Sequence, residues 1–200
     1  MRSFAYGWLL LLGIGTLFAT AETATSEAQA APKPAPEMQR LLGALSGTWS
    51  ITYQHESAGD TPARGTGQGE EVYRAGPGGL SIVEEVHAVE SSGNVAGHGV
   101  AWWDQSAKGF RAIWCDNSSP NGCGVMAKLA EWQGLNFVLH DEWEADGKRM
   151  LFKEVVSDIT PASFTQTIYQ GEIGTELKKV MTIKATRATA AKALPGKATQ

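Results

Sequence analysis

Residues 97–124, GHGVAWWDQSAKGFRAIWCDNSSPNGCG, decide how the rest of the chain is read. They hold three of the seven tryptophans, Trp102, Trp103 and Trp114, and both cysteines, Cys115 and Cys123. Side chains alternate across a strand. In residues 95–104 one face therefore carries His98, Val100, Trp102 and Asp104, and the other Gly97, Gly99, Ala101 and Trp103. In residues 109–116, Phe110, Ala112 and Trp114 oppose Arg111, Ile113 and Cys115. The turn formers Ser106 to Gly109 separate the two runs, so the pair reads as a β-hairpin. Both faces are partly apolar, and parity alone leaves open which of Trp102 and Trp103 points inward.

Working outward, residues 48–55 alternate cleanly, with Trp49, Ile51, Tyr53 and His55 on one face. Further strands are expected at 65–74, 80–90, 124–132, 135–144, 148–160, 163–171 and 176–187. They are punctuated by Gly/Pro/Asn/Asp turns such as Gly76-Pro77-Gly78-Gly79 and Asp146-Gly147. Residues 36–46 (PEMQRLLGALS) space Met38, Leu41, Leu42 and Leu45 at helical intervals, and Gly47 ends that helix. About ten strands joined mostly by tight turns imply an all-β, antiparallel up-and-down β-barrel with a short N-terminal helix as its lid. Such a barrel is wider than side chains alone fill, so an internal cavity is expected.

The N-terminus reads as a targeting segment. Arg2 is followed by an apolar, Leu-rich run from Phe4 to Phe18 and by Ala19-Thr20-Ala21, a small-x-small cleavage site. Residues 1–21 are expected to be a cleaved signal peptide, 22–36 a flexible Ala/Thr/Pro-rich tether, 37–187 the barrel and 188–200 a disordered tail. The expected location is periplasmic or extracellular, with no membrane span after cleavage. Cleavage removes Arg2 and no acid, so the formal net charge moves from −4 to −5. That mild acidity excludes the basic face of a nucleic-acid binder. In an oxidising compartment Cys115 and Cys123, flanking DNSSPNG, are expected to form a structural disulfide. Their spacing is not a CxxC, and no His lies between them, so a redox or metal pair is the lesser reading.

At Leu45-Ser46-Gly47-Thr48-Trp49 the chain resembles the calycin superfamily of lipocalins, fatty-acid-binding proteins and nitrobindin-like barrels. More closely it resembles the bacterial lipocalin-like family known as domain of unknown function 1579. That likeness rests on Leu-x-Gly-x-Trp, on Gly78-Gly79 followed by Ile82-Val83-Glu84-Glu85, on Gly97-x-Gly99 leading to Trp103-Asp104 and Trp114, and on a closing Ile183-x-x-x-Arg187. It covers residues 37–187. It implies a barrel closed at its bottom by Trp49, with Arg187 packed across the ring in a structural cation–π contact. The family has no established reaction, so the resemblance supplies a fold and little function.

Candidate chemistry follows from the alternation. One of Glu84 and Glu85 should face inward, as a polar anchor or acid/base, the other being solvated or paired with Arg74 or Arg111. The aromatic load points to a mostly apolar or amphipathic small ligand. The residues expected to bind it are Tyr53, Glu84, His98, Trp102, Trp103, Arg111, Trp114 and Phe137. The four histidines form no HxH or HExxH motif, and no zinc site is visible. Nitrobindin-like barrels hold haem through a histidine, for which His98 and His140 are the candidates here, but neither sits in a recognisable motif. No metal or cofactor is expected. No GxSxG is present, so no serine nucleophile is expected.

The leading expectation is an exported barrel that binds a small ligand. One alternative is an enzyme pairing Glu84 or Glu85 with His98 or His140. Another is a non-catalytic envelope module using the 117–122 loop as its contact surface.

Overall fold

The computed structural model describes residues 31–56, 65–90 and 93–188. These lie in the compact unit that runs from Ala31 to Gln200. The expected signal segment, residues 22–30 of the tether, the turn near residues 57–62 and residues 189–200 of the tail fall outside the described residues.

Helix α1 (Pro36–Leu45) begins with Pro at its first turn, where a missing N–H costs nothing, and buries Met38, Leu41 and Leu45. Eleven strands follow: β1 (Gly47–His55), β2 (Thr66–Ala75), β3 (Ser81–Glu90), β4 (Gly93–Asp104), β5 (Gly109–Asp116), β6 (Cys123–Val125), β7 (Glu131–Gln133), β8 (Asn136–Ala145), β9 (Lys148–Ser157), β10 (Ser163–Glu172) and β11 (Lys178–Arg187). They form one antiparallel sheet in the order β6-β5-β4-β3-β2-β1-β11-β10-β9-β8-β7. Every neighbour is a neighbour in sequence except β1 and β11, whose pairing from Trp49↔Arg187 to His55↔Met181 curls the meander round.

The expected strand at 124–132 is corrected to two short ones. The chain leaves β5 after Val125 and transfers to β8 at Glu131. Between them Met126 N–H donates to Ala112 O, and Phe110 and Ala130 exchange a pair of backbone bonds. Among the described residues the isolated bridge Phe110↔Ala130 links the two sides of this seam at the helix end, so the sheet is a curled, partly closed barrel. The expected strand 148–160 ends earlier, at Ser157, where Asp158 takes a positive φ of 52° and turns the chain.

The packed core gathers at the helix end. Trp49, Phe110, Phe164, Met38 and Leu41 are fully buried there, with Ile82, Tyr73, Phe137 and Val156. Trp49 stacks edge-on against Phe164, with ring centroids 4.7 Å apart. Its Nε1–H donates to Leu45 O at 2.7 Å, so the helix and the first strand are tied at their junction. Arg187 lies over the Trp49 ring, 4.1 Å from its centroid, and donates to Ser46 O and Pro161 O. Gly47, at φ 137°, is required there because a Cβ would run into the Arg187 guanidinium. Arg40 of α1 covers Trp132 in the same manner, 3.7 Å from the ring, and donates to Gly134 O.

Candidate functional site

Above this floor the character of the interior changes. The inward faces of β2, β3, β9 and β10 present Glu71, Tyr73, Glu84, Glu154 and Gln166. Tyr73 Oη donates to Glu71 Oε1 at 3.1 Å. Gln166 Nε2 donates to the same oxygen at 3.3 Å and to Tyr73 Oη at 3.2 Å. Glu71 and Gln166 are 2% and 3% exposed, whereas Glu84 and Glu154 are only half-buried. The cluster therefore has a dry base at Glu71 and Gln166 and a partly exposed side at Glu84 and Glu154.

Among the described residues no Lys, Arg or His ion-pairs with these three carboxyls. Their protonation follows. Burial, then the charge of Glu71, pushes Glu84 well above the ordinary carboxylate range. Burial, then Glu71, pushes Glu154 up to about 8. Burial also raises Glu71, but the donors Glu84, Gln166 and Tyr73 oppose that rise. Glu71 and Glu84 lie close enough to titrate as a pair. Tyr73 is raised by burial and by Glu71, so it stays a donor. All three carboxyls are thus pushed toward their neutral forms. Two buried acceptors, Glu71 Oε2 and Gln166 Oε1, have no heavy-atom donor assigned.

At the floor beneath this layer Trp103 meets Phe110 edge-on at 5.1 Å, and Phe110 meets Phe137 at 5.1 Å. Trp114 lies against β4, and a Cβ on Gly97 or Gly99 would collide with its ring. That approach is what the Gly97-x-Gly99 pattern provides. Gly99 also borders Glu84, since a Cβ there would come within 3.5 Å of Oε2. The inward side chains Val86, Trp114, Leu139, Phe152 and Ile183 are only half-buried.

At the mouth, Trp114 Nε1–H donates to Asp116 Oδ2 at 2.8 Å. Asp116 also accepts from the backbone and hydroxyl groups of Ser118 and Ser119, and these hydrogen bonds outweigh its partial burial and lower it to about 2. The Cys115–Cys123 disulfide joins directly paired positions of β5 and β6. Asn117 ties the loop to β4 by accepting from Ala96 N–H and donating to Asn94 O. On β1, Tyr53 and His55 point inward. His55 Nε2 lies 3.2 Å from Glu90 Oε1. Burial, then Glu90, raises the Tyr53 phenol.

Of the residues expected to bind a ligand, Tyr53, Glu84, Trp103, Trp114 and Phe137 share the inner face, Phe137 being sealed within the floor. His98, Trp102 and Arg111 do not join them. The reason is parity: Gly97 and Gly99 must face inward to admit Trp114, which turns His98 and Trp102 outward. Arg111 lies on the outer face and donates to Asp104 at 2.6 Å. Glu85 points outward to Arg74 at 3.0 Å, which lowers its carboxyl. The suggested acid/base pair is not assembled inside the barrel: Glu84 is inside while His98 and His140, opposite Lys153, are outside, and Glu85, directly across from His98 on β3 and β4, lies with it on the outer face. Glu71, Glu154 and Gln166 were missed, although Glu71 shares parity with Tyr73, and Glu154 with Phe152 and Val156.

The larger described concavity, about 550 Å³, lies elsewhere. It borders the outer side chains Thr52, Gln54, Gln68, Thr182 and Lys184 on β1, β2 and β11 and also touches Tyr53, Gly67 and Glu90, but includes none of the acidic layer. Convergent buried groups, rather than its volume, direct attention to the interior. Among the described residues no group of three or more His, Cys, Asp or Glu is arranged to hold a metal ion.

No family model matches the chain, and no curated protein matches it. Among solved structures, Rv2717c from M. tuberculosis aligns over 78% of this chain and 100% of its own, at 13% identity and a TM-score of 0.51. The fluorescence-activating barrel EF1p2_mFAP2b, bound to DFHBI, aligns over 76% and 99% at 15% identity and a TM-score of 0.41. The redesigned β-barrel mFAP1, bound to DFHBI, aligns over 76% and 100% at 16% identity and a TM-score of 0.39. The likeness concerns the fold alone, an antiparallel sheet curled into a barrel.

Proposed function

We propose that this protein is an exported member of the lipocalin-like family of domain of unknown function 1579, and that it binds a small, mostly apolar or amphipathic ligand inside the barrel. One observation carries the reading. Above the packed floor several inward side chains stay half-buried, and among them the aromatic Trp114 and Phe152 accompany a polar layer at Glu84 and Glu154. A few convergent polar groups in an otherwise apolar concavity are what small-molecule sites present. Residues 1–21 act as the signal, 22–36 as the tether, 37–187 as the binding domain and 188–200 as a tail. The disulfide supports an oxidising compartment. No helix among the described residues is long and apolar enough to cross a membrane. No observation favours the acid/base alternative.

Native mass spectrometry of protein purified from its own host, with solvent extraction of the sample, tests the reading. A stoichiometric small molecule is expected. An unliganded barrel that also fails to take up any small hydrophobic probe overturns it.

A further inference from the structure

The acidic layer has an unusual balance of donors and acceptors. Glu71, Glu84 and Glu154 bring six carboxyl oxygens to the inner face. The fixed donors assigned among them are Tyr73 Oη–H and the Gln166 amide, both already directed at Glu71 Oε1 and at each other. Gln166 is 3% exposed, points its amide into the layer, and its Oε1 has no partner; neither has Glu71 Oε2. Such orphan acceptors are costly unless supplied with hydrogen. The hydrogen can come from acid protons on Glu84 and Glu154, from an ordered water, or from N–H groups brought by a ligand.

We propose that the ligand of the barrel carries a compact cationic head, a primary amine or amidine, seated on the Glu84–Glu154 side of the layer with an apolar tail against Trp114 and Phe152. The proposal rests on the interior-binding reading and specifies its chemistry. An ammonium group offers three N–H donors and a positive charge to a layer rich in acceptors and without an internal cation. Nearby indole and phenyl faces favour the same charge. The arrangement suits an organic cation rather than a metal ion, because the described carboxyls form no metal-type grouping.

Binding of this kind is an exchange. A cation enters, and Glu154 releases its proton through the mouth to solvent, so the net charge of the interior is unchanged. The titratable groups facing the seat are Glu71 and Tyr73 on β2, Glu84 on β3 and Glu154 on β9; the inner faces of β4 and β11 bring none. Nearer the mouth, His55 and Glu90 contact each other, while Asp116 and Asp141 accept backbone N–H bonds of the rim.

The test is isothermal titration calorimetry of the full mature chain with 2-phenylethylamine, 2-phenylethanol and 3-phenylpropionate, in two buffers of different ionisation enthalpy. Only the amine should release about one proton, and its Kd should tighten by about tenfold per pH unit between pH 5.5 and 7.5. Glu154→Gln and Glu84→Gln, each isosteric and checked for folding by circular dichroism, should weaken the amine about tenfold or more and leave the alcohol unchanged. Equal binding of alcohol and amine without proton release overturns the cationic head but leaves interior binding intact. So does a neutral or anionic molecule extracted from native protein. Failure of the amine to bind, with the variants folded, also overturns the proposal.

Discussion

The two halves of the barrel interior solve different problems with the same strands. Near α1, inward positions are filled to completion: Trp49, Phe110 and Phe164 are 0%, 0% and 2% exposed. Their few polar atoms are mostly assigned, as with Trp49 Nε1 on Leu45 O. Farther up the same strands, inward positions carry carboxyls, half-buried aromatics and glycines that leave room for a ring. The floor follows the rule that cores are close-packed. The upper interior departs from it, and such local departures from consistency mark functional sites. The packed core lies in one half and the carboxyls in the other.

The division is most directly broken at the floor. Trp49→Ala should destabilise the domain by about 3–5 kcal/mol through the cavity it opens, measured by urea denaturation. A loss under about 1 kcal/mol would mean that the floor is not the stability centre. Next comes the rim. Replacing Cys115 and Cys123 together by Ser should cost about 2.5 kcal/mol in the chain-entropy model. It should also disturb Trp114, visible in its near-ultraviolet circular dichroism, because β6 is a three-residue strand held beside it.

The acidic layer sharpens the comparison through pH. Folded Glu154, pushed up to about 8 by burial and by Glu71, keeps its proton at pH values where the unfolded chain has ionised it near the ordinary carboxylate value of 4.5. Between those pH values the folded state binds more protons, so this group's contribution to stability is lost as pH rises. Glu154→Gln should therefore match the parent in Tm near pH 4.5 and exceed it by several degrees at pH 8.5. A constant difference across that range would place Glu154 in ordinary solvent. Smallest is the outer face. Arg111→Ala removes an exposed pair with Asp104 and should leave Tm unchanged within about 1 °C.

Much of this was legible in the sequence because period-two alternation is a strong signal. Trp49, Ile51 and Tyr53 were placed on one face, and that face is buried. The closing Trp49 and Arg187 came from the family resemblance rather than from spacing. What alternation does not supply is which face turns inward when both are apolar. Val72, Val83 and Val155 sit on the outer side of strands that carry Glu71, Glu84 and Glu154 on the inner side. A hydrophobicity reading therefore gives the carboxyls no reason to be inside. The clue lay in small residues: Gly97 and Gly99 mark where a large ring must fit, which assigns Trp103 inward and Trp102 outward. The division of 124–132 into two strands was hidden because its change of partner depends on where β5 ends and β8 begins.

The pairing of β1 with β11 has a further consequence for how the molecule comes into being. Every other strand except β7 meets the one made just before it, so most of the sheet can zip locally as it emerges. The β1–β11 ladder, reinforced by Arg187 reaching back over 141 residues to Ser46, must wait for the end of the chain. Closing so long a loop is entropically slow and comes late. Until then two strand edges stand open, which is a hazard for a chain in transit. A truncation before Lys178 would thus leave more than a missing strand: it would hold the protein at the stage where its edges are exposed to other chains.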